Sequence, residues 1–340
     1  MSWPEVKLED LVDVNPPAVF VDENIVSFIP MQSVSDTEKR IVELQTRPLV
    51  EVAKGYTQFK NGDLLLAKIT PCFENGKQAI VEMPTSVGYG STEFHVFRKK
   101  DDQIDIRFLH YFFQQPSFRH AAAINMTGTA GQKRVPAGFL ARLKIPLPPL
   151  EVQKKIAAVL EKADTLRRKR EEQIKRLDDL LQATFLDMFG DPVTNPKGWP
   201  VKVLENIVSN DCSVSYGIVQ PGDFVEDGIP VVRPVDLDNG VIQVSALKKI
   251  APDIAGKYPR SFLKGNELLL TVRGSIGAVY LTSNEFAGSN VTRGIVPLRF
   301  NERIANKEFV YCMFQTESFK GYFKKISKGA TLVQLNINEL

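Results

Sequence analysis

The chain has 340 residues, 43% hydrophobic and 24% charged, with a formal net charge of +3. That length predicts two domains and a connection, and the composition is that of a globular protein, which excludes a fibrous or disordered chain. The net charge alone is too small to announce nucleic acid, no apolar run is long enough to span a membrane, and the first residues lack the charged start and apolar core of a signal peptide. Cys72, Cys212 and Cys312 are far apart and show no ligand spacing with histidine. Neither a disulfide framework nor a structural zinc site is expected, and a reducing cytoplasm is.

In chain order, Trp3 and Pro4 lead into a predicted short strand and helical turn. Apolar runs at 63–69, 78–82 and 93–98 predict strands. Helices are predicted over 105–113 and 116–124, with a turn at Asn75-Gly76. Pro146, Pro148 and Pro149 then introduce residues 151–188, which contain no Gly or Pro and predict one continuous helix of roughly 57 Å. Gly190, Asp191 and Pro192 stop it. Its apolar residues Ile156, Val159, Ala163, Leu166, Ile174, Leu177 and Leu181 form a stripe on a charged helix, interrupted by the run 167–172. Such a stripe wants a partner helix, as in a coiled coil. Beyond it, strands are predicted at 229–233, 267–273, 278–281 and 294–299, helices at 307–315 and 317–326, and turns at 238–240 and Gly274.

The second part repeats the first. Trp199-Pro200 answers Trp3-Pro4, and Phe262-Leu263-Lys264-Gly265-Asn266-Glu267 followed by three leucines answers Phe59-Lys60-Asn61-Gly62-Asp63 followed by three leucines. Phe309-Val310-Tyr311 and Ser318-Phe319-Lys320 answer Phe108-Leu109-His110-Tyr111 and Ser117-Phe118-Arg119. Matches in one order at a nearly constant offset of about 200 residues mean a duplicated domain. Each copy also has an acid-free basic window. One lies between Asp105 and Glu151 and holds Lys133 and Arg134; the other lies between Glu317 and Glu339 and holds Lys324, Lys325 and Lys328. Two such windows suggest two surfaces that meet an anion. The expected class is α+β, with a twisted sheet and flanking helices in each copy and one long coiled-coil-type helix joining the two.

Two basic domains joined by a helix introduced by IPLPPLEVQKKIA, followed by Met188-Phe189-Gly190-Asp191-Pro192, resemble the DNA-specificity subunit of a Type I restriction–modification system. The segments FKNGDLLLAKITPCFEN, from Phe59, and TVRGSIG, from Thr271, are similar to its target-recognition domains. The resemblance covers the whole chain. It departs from the family in lacking a second long helix, which normally packs antiparallel to the first. It implies target-recognition domains at 1–150 and 191–340 and a spacer helix at 151–190. Each domain would read one half of a bipartite site in double-stranded DNA. The helix would set the spacing and dock methyltransferase subunits, and a motor nuclease subunit would join for cleavage. No cofactor is expected on this chain; S-adenosylmethionine, magnesium and ATP belong to the partner subunits. Self-association through the central helix is the expected substitute for the missing one. The alternative from the residues is a coiled-coil adaptor whose end domains bind protein or ligand.

Three loops per copy carry the residue types that grip phosphate or read bases. In the first they supply Lys68, Thr70, Asn75 and Lys77; Ser91 and Thr92; and Thr129, Gln132, Lys133 and Arg134. In the second they supply Arg273 and Ser275; Asn290, Thr292 and Arg293; and Lys328, Thr331 and Gln334. Catalysis is not expected. His95, His110 and His120 have no nucleophile at a recognisable motif, the glycine-rich loops lack the lysine of a phosphate loop, and no adenine-methylation tetrad is present.

Overall fold

The computed structural model describes residues 3–129, 131–212, 214–237, 242–327 and 334–336. It forms two compact units, Met1–Glu172 and Gln173–Leu340.

The first unit runs β1 (Glu5–Lys7), α1 (Leu8–Leu11), β2 (Val12–Val14), β3 (Ile25–Ile29), β4 (Gln45–Pro48), α2 (Leu49–Val52), β5 (Thr57–Lys60), β6 (Leu64–Ala67), β7 (Gln78–Ile80), β8 (Val87–Gly90), β9 (Phe94–Lys99), α3 (Ile106–Phe112), α4 (Pro116–Ile124), α5 (Ala137–Arg142) and β10 (Lys144–Pro146). The strands form two four-stranded sheets, β2-β9-β6-β7 and β4-β3-β8-β5, plus the β1/β10 pair. Leu64, Leu66 and Phe97 join a core with Leu109, Phe113 and Phe118 of the helical side, while Leu65 and Val96 meet Ile29 and Phe59 of the second sheet. Three consecutive leucines can all be buried because both faces of this sheet are covered.

The sequence reading expected one sheet per copy, and the second sheet is the difference. One of its two inner strands, β8, reads Val-Gly-Tyr-Gly, a composition that argues against a strand. The glycines are there for close approach: a Cβ on Gly88 would lie 2.5 Å from the Phe59 ring, and one on Gly90 would lie 2.3 Å from the Ile29 carbonyl oxygen.

The second unit runs β11 (Ile229–Val232), α7 (Pro234–Leu237), β12 (Lys248–Ile250), α8 (Pro252–Gly256), β13 (Leu268–Thr271), β14 (Val279–Leu281), β15 (Asn290–Val291), β16 (Ile295–Leu298), α9 (Lys307–Gln315) and α10 (Glu317–Ile326). It repeats the layering with sheets β14-β13-β16 and β12-β11-β15. Leu268 and Leu270 pack with Val310, Phe314 and Phe323, and Leu269 faces Val232, Phe286 and Val291. The predicted turn at 238–240 lies outside the described residues.

One turn recurs in both units. In the first, Gly62 takes a positive φ, and the Asp63 carboxylate accepts the Lys60 N–H at 2.7 Å. The same carboxylate takes two donors of Arg98, at 2.9 and 2.7 Å. In the second, Gly265 takes the positive φ, and the fully buried Glu267 accepts the N–H of Lys264 at 2.7 Å and of Gly265 at 2.9 Å. Arg299 donates to it at 3.1 and 2.7 Å. A buried carboxylate is tolerated only when paired and hydrogen-bonded in this way. Burial pushes the Glu267 carboxyl up, but the Lys264 N–H and the Arg299 guanidinium outweigh it and hold the group below its ordinary range.

The long helix α6 spans Leu150–Phe189, one residue beyond the predicted span at each end. At its start the buried Gln153 accepts the Asp105 N–H at 2.9 Å and donates to the carbonyls of Gln103, at 2.9 Å, and Pro148, at 2.8 Å. At its end Gly190 takes a positive φ, and Lys197 Nζ donates to the carbonyls of Asp187 and Met188 at 2.6 and 2.8 Å. Trp199 Nε1 donates to the Phe189 carbonyl at 2.9 Å. Lysine and indole thus satisfy carbonyls that a helix C-terminus leaves open. Every residue from 169 to 181 is exposed.

Replacing Glu267 with glutamine leaves Arg299 buried beside only the half-exposed Asp211. At neutral pH the variant should be destabilised by about 3 kcal/mol, the low end for breaking a buried pair. The folded-state pKa of Glu267 lies below its ordinary 4.5, so the stabilisation is full above that pH and lost as pH falls through the folded value. Denaturant titration should show the gap between wild type and Glu267→Gln closing below pH 4.5. Coincident midpoints at pH 7 would remove the pair as a structural clamp.

Candidate nucleic-acid interface

In the first unit most of the nominated residues converge at one end of the β6/β9 ladder. That ladder pairs Leu64 with Phe97 through to Ala67 with Phe94. Just past it, the Lys68 N–H donates to the Glu93 carbonyl at 2.8 Å, and Val135 N–H donates to the Lys68 carbonyl at 2.9 Å. Arg134 forms isolated bridges with both Ile69 and Thr127. Thr70 N–H donates to the Lys133 carbonyl at 3.0 Å, and the Thr70 hydroxyl accepts the Lys133 N–H at 3.1 Å. Gly128 and Gly131 take a positive φ, Thr127 pairs with Arg134, and the Gln132 N–H lies on the Thr129 carbonyl at 3.0 Å. Three loops far apart in the chain are thereby laced into one surface. Thr92, Thr129, Gln132 and Lys133 are exposed on it, and Ser91 is half-buried.

Arg134 is held by Glu93. Its Nε donates to both carboxylate oxygens, at 3.2 and 3.0 Å, and its Nη2 donates at 2.8 Å. Nη1 donates to the Gln132 carbonyl at 3.1 Å. The guanidinium lowers the Glu93 carboxyl pKa. Behind it the buried His95 donates from Nε2 to the Val135 carbonyl at 2.7 Å, and burial lowers its pKa, keeping it neutral. Lys77 and Asn75 stand apart from this group. Lys77 Nζ donates to the Met31 carbonyl at 3.2 Å, and the Asn75 carbonyl takes the Lys39 ammonium at 2.7 Å.

The second unit repeats the frame. Its β13/β16 ladder pairs Leu268 with Leu298 through to Thr271 with Ile295. Past it, Val272 N–H donates to the Gly294 carbonyl at 2.8 Å, and Leu335 N–H donates to the Val272 carbonyl at 2.9 Å. Arg273 bridges Gln334, and Arg273 Nη2 donates to the Gln334 side-chain oxygen. Ser275 and Arg293 are exposed and Thr292 is half-buried, its N–H on the Val232 carbonyl at 3.0 Å. Lys328 and Thr331 lie outside the described residues.

Asn290 needs correction. It is fully buried, donating to the Tyr258 carbonyl at 3.3 Å and accepting the Val291 N–H at 2.8 Å, so it is a strand-fixing residue with no face to offer a ligand. Of the helix stripe, Val159, Leu166, Ile174 and Leu177 are each more than half exposed, as is Leu180, which the sequence reading passed over. Ala163 and Leu181 are exposed as well. Ile156 instead packs on the core of the first unit. Reading for cations also missed Glu93, the acid that orients Arg134. It stands in the sequence beside Ser91 and Thr92, but its partner is distant in the chain. No group of three or more metal-ligating side chains occurs among the described residues, and none of their helices is long and apolar enough to cross a membrane.

The sequence pattern of the Type I restriction modification DNA specificity domain matches residues 2–176 and 218–340. The chain belongs to this family. It is 42% identical over 157 residues to the Type I restriction enzyme EcoAI specificity subunit of Escherichia coli, a match covering 46% of this chain and 27% of that one. It is also 22% identical over 361 residues to the MjaVIII specificity subunit of Methanocaldococcus jannaschii, covering 99% of this chain and 81% of the relative. The S subunit of the Type-I restriction-modification system from M. genitalium has the same fold, with a TM-score of 0.52 at 14% identity over 99% of this chain and 86% of that one. The specificity-domain match falls on both copies of the repeat, and each copy carries the same ladder and bridge.

Asn290→Ala should lower stability by about 1–3 kcal/mol, because it strips the buried Val291 N–H of its side-chain acceptor. The denaturant midpoint should fall, and affinity for DNA per folded molecule should stay unchanged. Altered sequence preference in a fully folded variant would return Asn290 to the interface.

Proposed function

We propose that this chain is the sequence-reading, non-catalytic subunit of a Type I restriction–modification complex. The observation that carries this reading is the specificity-domain match over both repeats, each with a polar surface at the end of its central ladder. In this reading residues 1–150 and 191–340 are target-recognition domains, and 151–190 is the spacer helix. Each domain reads one half of a bipartite double-stranded DNA site. Two modest readouts on one chain add through effective concentration.

Methyltransferase subunits dock on the central helix, a motor nuclease subunit joins for cleavage, and the assembly works in the cytoplasm. S-adenosylmethionine, magnesium and ATP are then the business of those partners. In the first domain the surface is formed by Lys68, Thr70, Ser91, Thr92, Thr129, Gln132, Lys133 and Arg134, with Asn75 and Lys77 to one side. In the second it is formed by Arg273, Ser275, Thr292, Arg293 and Gln334, with Lys328 and Thr331 in the same stretch of chain. The helix residues Val159, Leu166, Ile174, Leu177 and Leu181 offer an apolar stripe to a second helix, supplied by a partner subunit or by another copy of the chain.

Filter binding to a duplex library across salt concentrations tests the reading. Affinity should fall steeply with salt and a bipartite sequence should be enriched; salt-insensitive binding without enrichment would sink it. Lys133→Ala removes an exposed cation and should flatten the salt slope by about one charge. Arg134, already neutralised by Glu93, should contribute less to that slope. An unchanged slope in Lys133→Ala would take Lys133 off the phosphate backbone. For the helix, changing Leu166 and Leu177 together to lysine should give a chain that stays monomeric in sedimentation and no longer binds the methyltransferase. Retained binding would move that contact elsewhere.

A further inference from the structure

The two units present one arginine each at the same place in the same frame, but from opposite sides of it. Lys68 and Val272 are equivalent, because each donates across the ladder end, to Glu93 and Gly294 respectively, and each carbonyl accepts from the returning strand, from Val135 and Leu335. The next residues in each pair are therefore equivalent too. Ile69 corresponds to Arg273, and Arg134 corresponds to Gln334; each pair forms the isolated antiparallel bridge that closes the frame. In the first unit the arginine comes from the returning strand, and in the second it comes from the end of the central strand.

The partners are exchanged as well. Arg134 is gripped by Glu93, the position held in the second unit by Gly294. There a side chain has no room, since a Cβ on Gly294 would lie 2.5 Å from the Pro234 ring. The carboxylate is missing, and Gln334 takes over as the orienting group.

We propose that Arg134 and Arg273 each read a guanine, one in each half-site, and that Glu93 and Gln334 are the positioning residues that aim them. This rests on the DNA-reading function above. Arginine is the residue that pairs bidentately with the O6 and N7 of guanine, and such readout requires the planar fork to be held in one orientation. Both forks are held. Arg134 uses Nε and one N–H of each terminal nitrogen on Glu93 and Gln132, which leaves one N–H on each terminal nitrogen for a ligand. Its side chain is 42% exposed.

A phosphate would be a poor occupant of this spot, because the Glu93 carboxylate beside the fork repels an anion. A base edge suits it, because bases offer donors and acceptors side by side. In the second unit Arg273 Nε is buried with no hydrogen-bond partner among the described residues, a state that costs energy until an acceptor arrives. The differing surroundings, a carboxylate in one unit and an amide in the other, give the two half-sites different neighbours to the guanine. That suits an asymmetric target.

The test is selection of bound duplexes from a randomised library by the full chain, comparing wild type with Arg134→Lys and Arg273→Lys. Lysine keeps the charge and loses the fork. Each variant should lose preference for guanine at one position of one half-motif, by roughly 10- to 100-fold. The other half-motif should stay intact, serving as an internal control for folding and for binding. The salt slope should be unchanged. Gln334→Leu should weaken the same position as Arg273→Lys. Variants that select the wild-type motif with uniformly lower yield would overturn the proposal and leave the DNA-reading function standing. A wild-type chain that selects no motif at all would overturn both.

Discussion

Each unit hangs on one carboxylate taken out of water. Asp63 and Glu267 sit immediately before three leucines that are buried on both faces, so an unpaired charge there would be prohibitive. Each is satisfied in two directions at once: back to the N–H that closes its own turn, and across to an arginine one residue beyond the facing strand pair. The two contacts together fix the register between the central strand and its neighbour. A slip of one residue would turn every leucine to the wrong face and separate the acid from its arginine. In the second unit the glycine moves one place within the turn and glutamate replaces aspartate, yet the same two contacts are made.

Fixing the register at one end of a four-pair ladder also fixes the other end. That end is where the returning strand crosses, and where the exposed polar side chains collect. The acid–arginine clamp and the candidate interface are thus opposite ends of a single rigid element, which lets loop residues be held in place by strand geometry. The surroundings of that end differ between the copies. A frame kept constant by buried contacts tolerates substitution where its ends reach the surface, and this is how one duplicated fold can present two different surfaces.

The central helix obeys a different rule. Its two ends are tied by buried or capping polar contacts, through Gln153 at the start and through Lys197 and Trp199 at the finish. The middle is exposed and draws on helix propensity and on pairs within the helix, such as Arg167 with Glu171 at 2.8 Å. Leucines on such a stretch add nothing to its stability while they face water.

Local pattern carried much of this into view. The helices at 116–124, 307–315 and 317–326 coincide with the predicted spans, because cap residues and periodicity act over a single turn. The long helix was visible for the same reason, and the duplication followed from residue order alone. The second sheet of the first unit was not visible, and of the second unit's only the strand at 229–233 was. The strands of these sheets are short and β8 alternates with glycine, required by a ring and a carbonyl that approach from distant parts of the chain. The site was legible as three loops per copy, but their convergence, the hold of Glu93 on Arg134 and the burial of Asn290 were decided by tertiary structure. Each depends on contacts between residues tens of positions apart, and a linear sequence states which side chains are present without stating which of them meet.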